Sequence, residues 1–195
     1  MAETKQIPET RSIAKGKLTL KQITLTGLMT AVICLLAPLS LNIPISPVPI
    51  SLGYLAVYFV LSVLGMKLGV LSVVAYILLG LAGIPVFTGF TGGPGKLLGP
   101  TGGYIVGYIF MALICGYFVD RWEKHLRMEI LGMILGSAVC YLFGTVWLAW
   151  MASYTFPQAL AAGVLPYVPF DLIKLAAGLA VGRQLRSRLR KAGLL

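Results

Sequence analysis

Charge is scarce in this 195-residue chain. Asp, Glu, Lys and Arg make up 11% of it, and only six residues are acidic; a soluble domain carries about 25% charged residues. Hydrophobic residues reach 58%, above the roughly 45–50% of soluble domains. That balance excludes a soluble globular domain, and disorder with it. Cysteine and histidine are also few. Cys34, Cys115 and Cys140 stand far apart in apolar segments with no CxxC pattern, and the sole histidine, His125, falls in a charged loop. A structural zinc centre is therefore not expected, nor any other metal site. Each cysteine reads as a small hydrophobe within a helix. No acids form a spaced pair suited to metal-assisted phosphotransfer, so no catalytic set is present. No apolar run follows directly on the basic start, so residues 1–17 read as a cytosolic tail and not as a cleaved signal peptide. What remains is a polytopic membrane protein.

Sixteen basic residues give a formal net charge of +10. Nucleic acid does not explain the surplus, because no module of interleaved aromatic and basic residues is present. Topology does. Residues 22–66, 68–95, 97–119 and 130–170 carry no Asp, Glu, Lys or Arg, and one crossing needs about 20 apolar residues. Proline and glycine divide these stretches into six helices: about 18–39, 51–64, 70–82, 104–120, 130–151, and a last one from near Phe170 into the basic segment 183–191. A proline loop at 42–50 cannot be regular helix. A turn at 65–69, a glycine-rich loop at 83–103 and a loop with a short interfacial helix at 156–169 complete the order. The two helices either side of the turn are short for full crossings; either they extend into their turns or the bilayer thins locally. Six crossings place both termini on one side, together with 14 of the 16 basic residues, as the positive-inside rule requires of the cytoplasm. The expected division is a tail at 1–17, a membrane domain at 18–187 and a basic cytosolic tail at 188–195. No internal repeat is evident, which speaks against an inverted-repeat carrier.

With this topology the proline loop, the glycine loop and the start of the last helix all face outward and converge on one site. Asp171 and Lys174 share a helical face there, and Asp171 is the only acid within a predicted membrane segment. Intramembrane ionisable groups are costly and face an interior or a cavity. Two readings stand: a self-neutralising salt bridge, or a ligand clamp in which the carboxylate accepts N–H donors and the ammonium attracts an anion. The glycine loop lets backbone approach a ligand closely, and its Phe87, Phe90 and Tyr104 can cover an apolar ligand body. Lys96 is either a second anion contact or a solvated loop charge. The run before it is not an ATP site: GxxxxGK[ST] fails at Phe90 and at Leu97. Gly27 and Ala31 form a small-xxx-small pair on the first helix, suited to internal packing or to a partner helix.

Pro47-Val-Pro-Ile50, Gly83-Ile-Pro-Val-Phe87, Gly99-Pro-Thr-Gly-Gly-Tyr104 and Pro169-Phe-Asp-Leu-Ile-Lys174 together resemble the BioY family, the biotin-specific substrate-binding (S) components of energy-coupling factor transporters. The resemblance runs from the first helix to the last. It implies an all-α membrane protein with six transmembrane helices in the S-component fold, in a prokaryotic cell membrane, and high-affinity biotin capture rather than catalysis. It places Asp171 and Lys174 in the biotin site, with Tyr104, Thr101, Phe87, Phe90 and Lys96 as further contributors. It makes the first loop, with Pro47, Val48 and Pro49, a lid. Gly27 and Ala31 match the small-residue motif that packs on a partner, with Gly where Ala is commoner. The implied partners are a transmembrane coupling subunit and two ATPase subunits. No cofactor is implied, since biotin is the ligand and ATP is used by the partners. Asp171 would accept a ureido N–H, and Lys174 would meet the ureido oxygen or the valerate carboxylate. The competing readings are a carrier for another small vitamin or anion, and a membrane enzyme or structural subunit.

Overall fold

The computed structural model describes residues 18–41, 48–123 and 125–195. Helices dominate them: α1 (Leu20–Leu36), α2 (Gly53–Leu81), α3 (Pro94–Leu97), α4 (Gly102–Arg121), α5 (Leu126–Ala152), α6 (Phe156–Gly163) and α7 (Val168–Lys191). A two-residue antiparallel ladder joins β1 (Ser40–Leu41) to β2 (Ile50–Ser51), with Ser40 opposite Ser51. It ties together the two ends of the first loop, whose residues 42–47 lie outside the described set, as does the tail 1–17.

Local chemistry explains where the helices begin. Thr19 and Gln22 form a capping box at α1, and Thr155 and Gln158 another at α6, each satisfying two otherwise orphaned N–H groups. Proline opens α3, α6 and α7, where its missing N–H costs nothing. The last helix runs on to Lys191, so most of the basic segment is helical.

The α2 helix is two limbs, not one rod. Gly65 has φ 74° and ψ −160°, a conformation essentially reserved for glycine. The chain reverses there: a Cβ on Gly69 would lie 3.7 Å from Leu61 Cα, whereas eight residues along a straight helix span about 12 Å. One residue makes the turn expected over 65–69. The carboxylate of Asp120, near the end of α4, caps the second limb by accepting from Met66 N–H at 2.8 Å. The Gly65→Ala variant should therefore lose about 2 kcal/mol or more, because its methyl would also meet Asp120 Oδ1 at 1.9 Å. Thermal unfolding in detergent checks this, with Gly95→Ala, which meets open space, expected to be neutral.

The α2 limbs pack against α1, α4 and α7, and α4 packs along α5. Thr30 Oγ1 donates to Ser72 O at 3.3 Å and Ser72 Oγ to Thr26 O at 3.2 Å, so paired hydroxyls fasten α1 to the second limb. Among the described residues, three helices (α2, α4 and α5) are long and apolar enough to cross a bilayer; α6 and α7, bent by 51°, make a fourth if taken as one span. The chain is a multi-pass membrane protein. One end of the bundle carries the loops before α2, α4 and α7; the other carries the Gly65 reversal and the basic end of α7.

Candidate functional site

At the loop end, a cavity of about 500 Å³, its open mouth included, lies between α2, α4, α5, α7 and the first loop. Asp171 sits in the first turn of α7 and is buried at 5% exposure. Its Oδ1 lies 2.8 Å from Lys174 Nζ, and its Oδ2 accepts from Tyr141 Oη at 2.5 Å. Lys174 Nζ also donates to Ser51 O at 2.7 Å. The pair therefore links α7 to α5 and to the strand that closes the first loop. A salt bridge confined to one helix would make none of these cross-links.

Five tyrosines stand in the remaining wall: Tyr54, Tyr104, Tyr108, Tyr141 and Tyr167. Tyr54 meets Tyr108 edge-on, with ring centroids 5.2 Å apart, and Tyr141 at 5.6 Å. Tyr104 Oη donates to Gly163 O at 3.2 Å, and Tyr167 Oη to Val48 O. The glycine run places the α4 edge of the wall. A Cβ on Gly102 would fall 1.7 Å from Leu97 O and one on Gly103 2.3 Å from Trp147 Cβ, while Trp147 Nε1 holds Gly99 O at 3.0 Å. Only glycines let the start of α4 settle this deeply and bring Thr101 and Tyr104 to the cavity. The whole arrangement offers one carboxylate acceptor, one ammonium, phenol hydroxyls and aromatic faces. Its chemistry suits a small molecule with N–H donors, an oxygen acceptor or anion, and a compact apolar body.

A family model described as the BioY family matches residues 9–191, nearly the whole chain. The chain belongs to the BioY family. The biotin transporter BioY of Thermotoga maritima is 36% identical over 167 residues, which cover 86% of this chain and 96% of that protein. The probable biotin transporter BioY of Pyrococcus horikoshii is 37% identical over 166 residues, covering 85% and 96%. Among solved structures, the crystal structure of the S-component for biotin from an ECF-type ABC transporter superposes with a TM-score of 0.81 at 30% identity. The match covers 88% of this chain and 95% of that one. The chain thus has the S-component fold and is a transporter component, not an enzyme.

Of the residues expected from the sequence, the cavity brings together Asp171, Lys174, Tyr104 and Thr101, with Val48 and Pro49 from the first loop. Pro47 lies outside the described residues. Three others are placed elsewhere. Phe87 is fully buried, edge-on to Tyr76 at 5.6 Å; Phe90 is exposed, with φ 56°. Lys96 is half-buried in α3, where desolvation lowers its pKa. Among the described residues, Gly27 and Ala31 lie on the exposed face of α1, opposite buried Leu25, Met29 and Ile33. Sequence reasoning missed Ser51, Thr88 and four of the five tyrosines. A signal was available: Tyr104 and Tyr108 stand four apart on one helix face, and a phenol near a helix end in an apolar segment asks for a polar partner.

Proposed function

We propose that this chain is the biotin-capture subunit of an energy-coupling factor importer, with the ligand held between Asp171, Lys174 and the tyrosine wall. The observation that carries the reading is the buried Asp171–Lys174 pair, cross-linked to Tyr141 and Ser51 and lining a cavity. In this reading the chain crosses the plasma membrane six times with both termini cytoplasmic, which the division of α2 into two limbs at Gly65 supports. The basic bias supports this sidedness. A transmembrane coupling subunit and two ATPase subunits energise uptake, since the chain carries no phosphate-binding loop.

Biotin supplies what the wall asks for. Its ureido N–H groups match the carboxylate, its carbonyl or valerate matches the ammonium, and its bicyclic body fits against tyrosine rings. Cells producing the chain with its partners should take up labelled biotin, and excess unlabelled biotin should block uptake where riboflavin or thiamine does not. Equal competition by another vitamin would move the reading to that ligand. The first loop acts as the lid, because Val48 and Pro49 line the cavity and Lys174 holds its closing strand. A spin label at Val48 should lose mobility when biotin is added, and unchanged mobility would remove the lid.

A further inference from the structure

A second groove lies at the opposite end of the bundle, between the start of α1, the second limb of α2 and the end of α7. Its walls carry Lys21, Lys67, Arg186 and Arg190 beside Leu64, Leu68 and Leu71, with Gly193, Leu194 and Leu195 at its edge. The charges there are not all balanced. Arg186, itself buried, meets Asp120 at 2.9 Å and Glu123 at 3.0 Å, and Arg190 also pairs with Glu123. Two arginines are thus answered by two carboxylates. Lys21 donates only to a backbone oxygen, Gly193 O, at 3.2 Å, and among the described residues neither Lys21 nor Lys67 has an ion pair. Among the described residues, the groove thus keeps two ammonium groups without a carboxylate partner, beside the exposed Leu71.

We infer that this groove holds one anionic phospholipid, its phosphate drawn to Lys21 and Lys67 and an acyl chain laid along the exposed Leu71 and Leu194. A soluble anion would use the ammonium groups and leave the exposed Leu18, Leu71 and Leu194 uncovered. A lipid uses both, and basic pockets between membrane helices favour such headgroups. The chain's own residues 1–17 are a poor occupant, because Lys5, Arg11, Lys15 and Lys17 outnumber Glu3 and Glu9, so that segment repeats the groove's charge. The inference rests on the membrane setting and not on the identity of the transported ligand.

Native mass spectrometry of the full chain, released from mixed micelles holding phosphatidylglycerol and phosphatidylcholine with matched acyl chains, tests the inference. The wild-type chain should retain one phosphatidylglycerol in clear preference to phosphatidylcholine. The double variant Lys21→Gln/Lys67→Gln should lose that preference by about 30-fold, from roughly one surface-charge contribution per lysine. A matched control, Arg127→Gln/Arg188→Gln, removes two basic residues that do not line the groove and should keep it. Equal retention of both lipids by the wild type, or equal loss in the control, would overturn the inference. Displacement by glycerol phosphate as readily as by lipid would assign the lysines to a free anion and overturn it too. Lipid retained alone but expelled whenever the coupling subunit binds would make this face the partner's seat instead.

Discussion

Asp171→Asn is expected to weaken biotin binding by about 10- to 150-fold, the equivalent of one charge-assisted hydrogen bond of about 1.5–3 kcal/mol. The chain should remain inserted and monodisperse. The loss has two sources. The amide no longer offers two anionic oxygens, and its NH₂ turns a donor toward Tyr141 or Lys174, both of which already donate to Asp171. Lys174→Met is expected to cost at least as much, because Lys174 also holds Ser51 O at the end of the lid. A double-mutant cycle separates clamp from plain salt bridge. If the two groups only neutralise each other, either single change leaves a buried charge unpaired and destabilises the free protein, while the double change largely restores it. If both also touch the ligand, the double variant recovers melting temperature and still fails to bind. Calorimetric titration of the three variants, beside their unfolding temperatures, reads both quantities on the same preparations.

The second large effect falls on transport and spares binding. Gly27→Leu and Ala31→Trp should retain biotin affinity within about twofold yet abolish most ATP-driven uptake. A Cβ built on Gly27 meets no atom within 4 Å, and both residues lie on the exposed face of α1. Added bulk therefore points away from the described core of the chain, and the expected loss arises where another helix approaches closely. Co-purification with the coupling subunit should fall in parallel with uptake. Wild-type uptake by either variant would remove this face from the interface, and sustained accumulation by the chain alone in partner-free vesicles would defeat the dependence on an ATPase.

How far the sequence alone reaches depends on the element. Apolar runs cut by proline and glycine located each main helix to within a few residues, since punctuation by those two residues is a backbone effect that needs no tertiary context. The sequence indicates a turn over 65–69 but not that Gly65 alone makes it, because Asp120 caps the second limb from another helix and no local pattern shows that. At the site, Asp171 and Lys174 stood out because charge is rare in a membrane span. Their partners Tyr141 and Ser51 lie 30 and 123 residues away and could not be paired without the fold. Phe87 and Phe90 looked like ligand cover by residue type and loop position. Packing against Tyr76 instead takes one, and a left-handed backbone turns the other outward. The basic end shows the same limit: the count of lysines and arginines indicates a side of the membrane, but not that Arg186 is buried between two carboxylates while Lys21 and Lys67 have none among the described residues.

The most direct test of the central claim is the structure of the purified chain solved with biotin. One biotin should occupy the cavity at the loop end, with a ureido N–H on Asp171, Lys174 on the ureido oxygen or the valerate, and tyrosine rings against the bicyclic body. An empty cavity with biotin bound elsewhere, or a chain that takes up no biotin at saturating concentration, would contradict it.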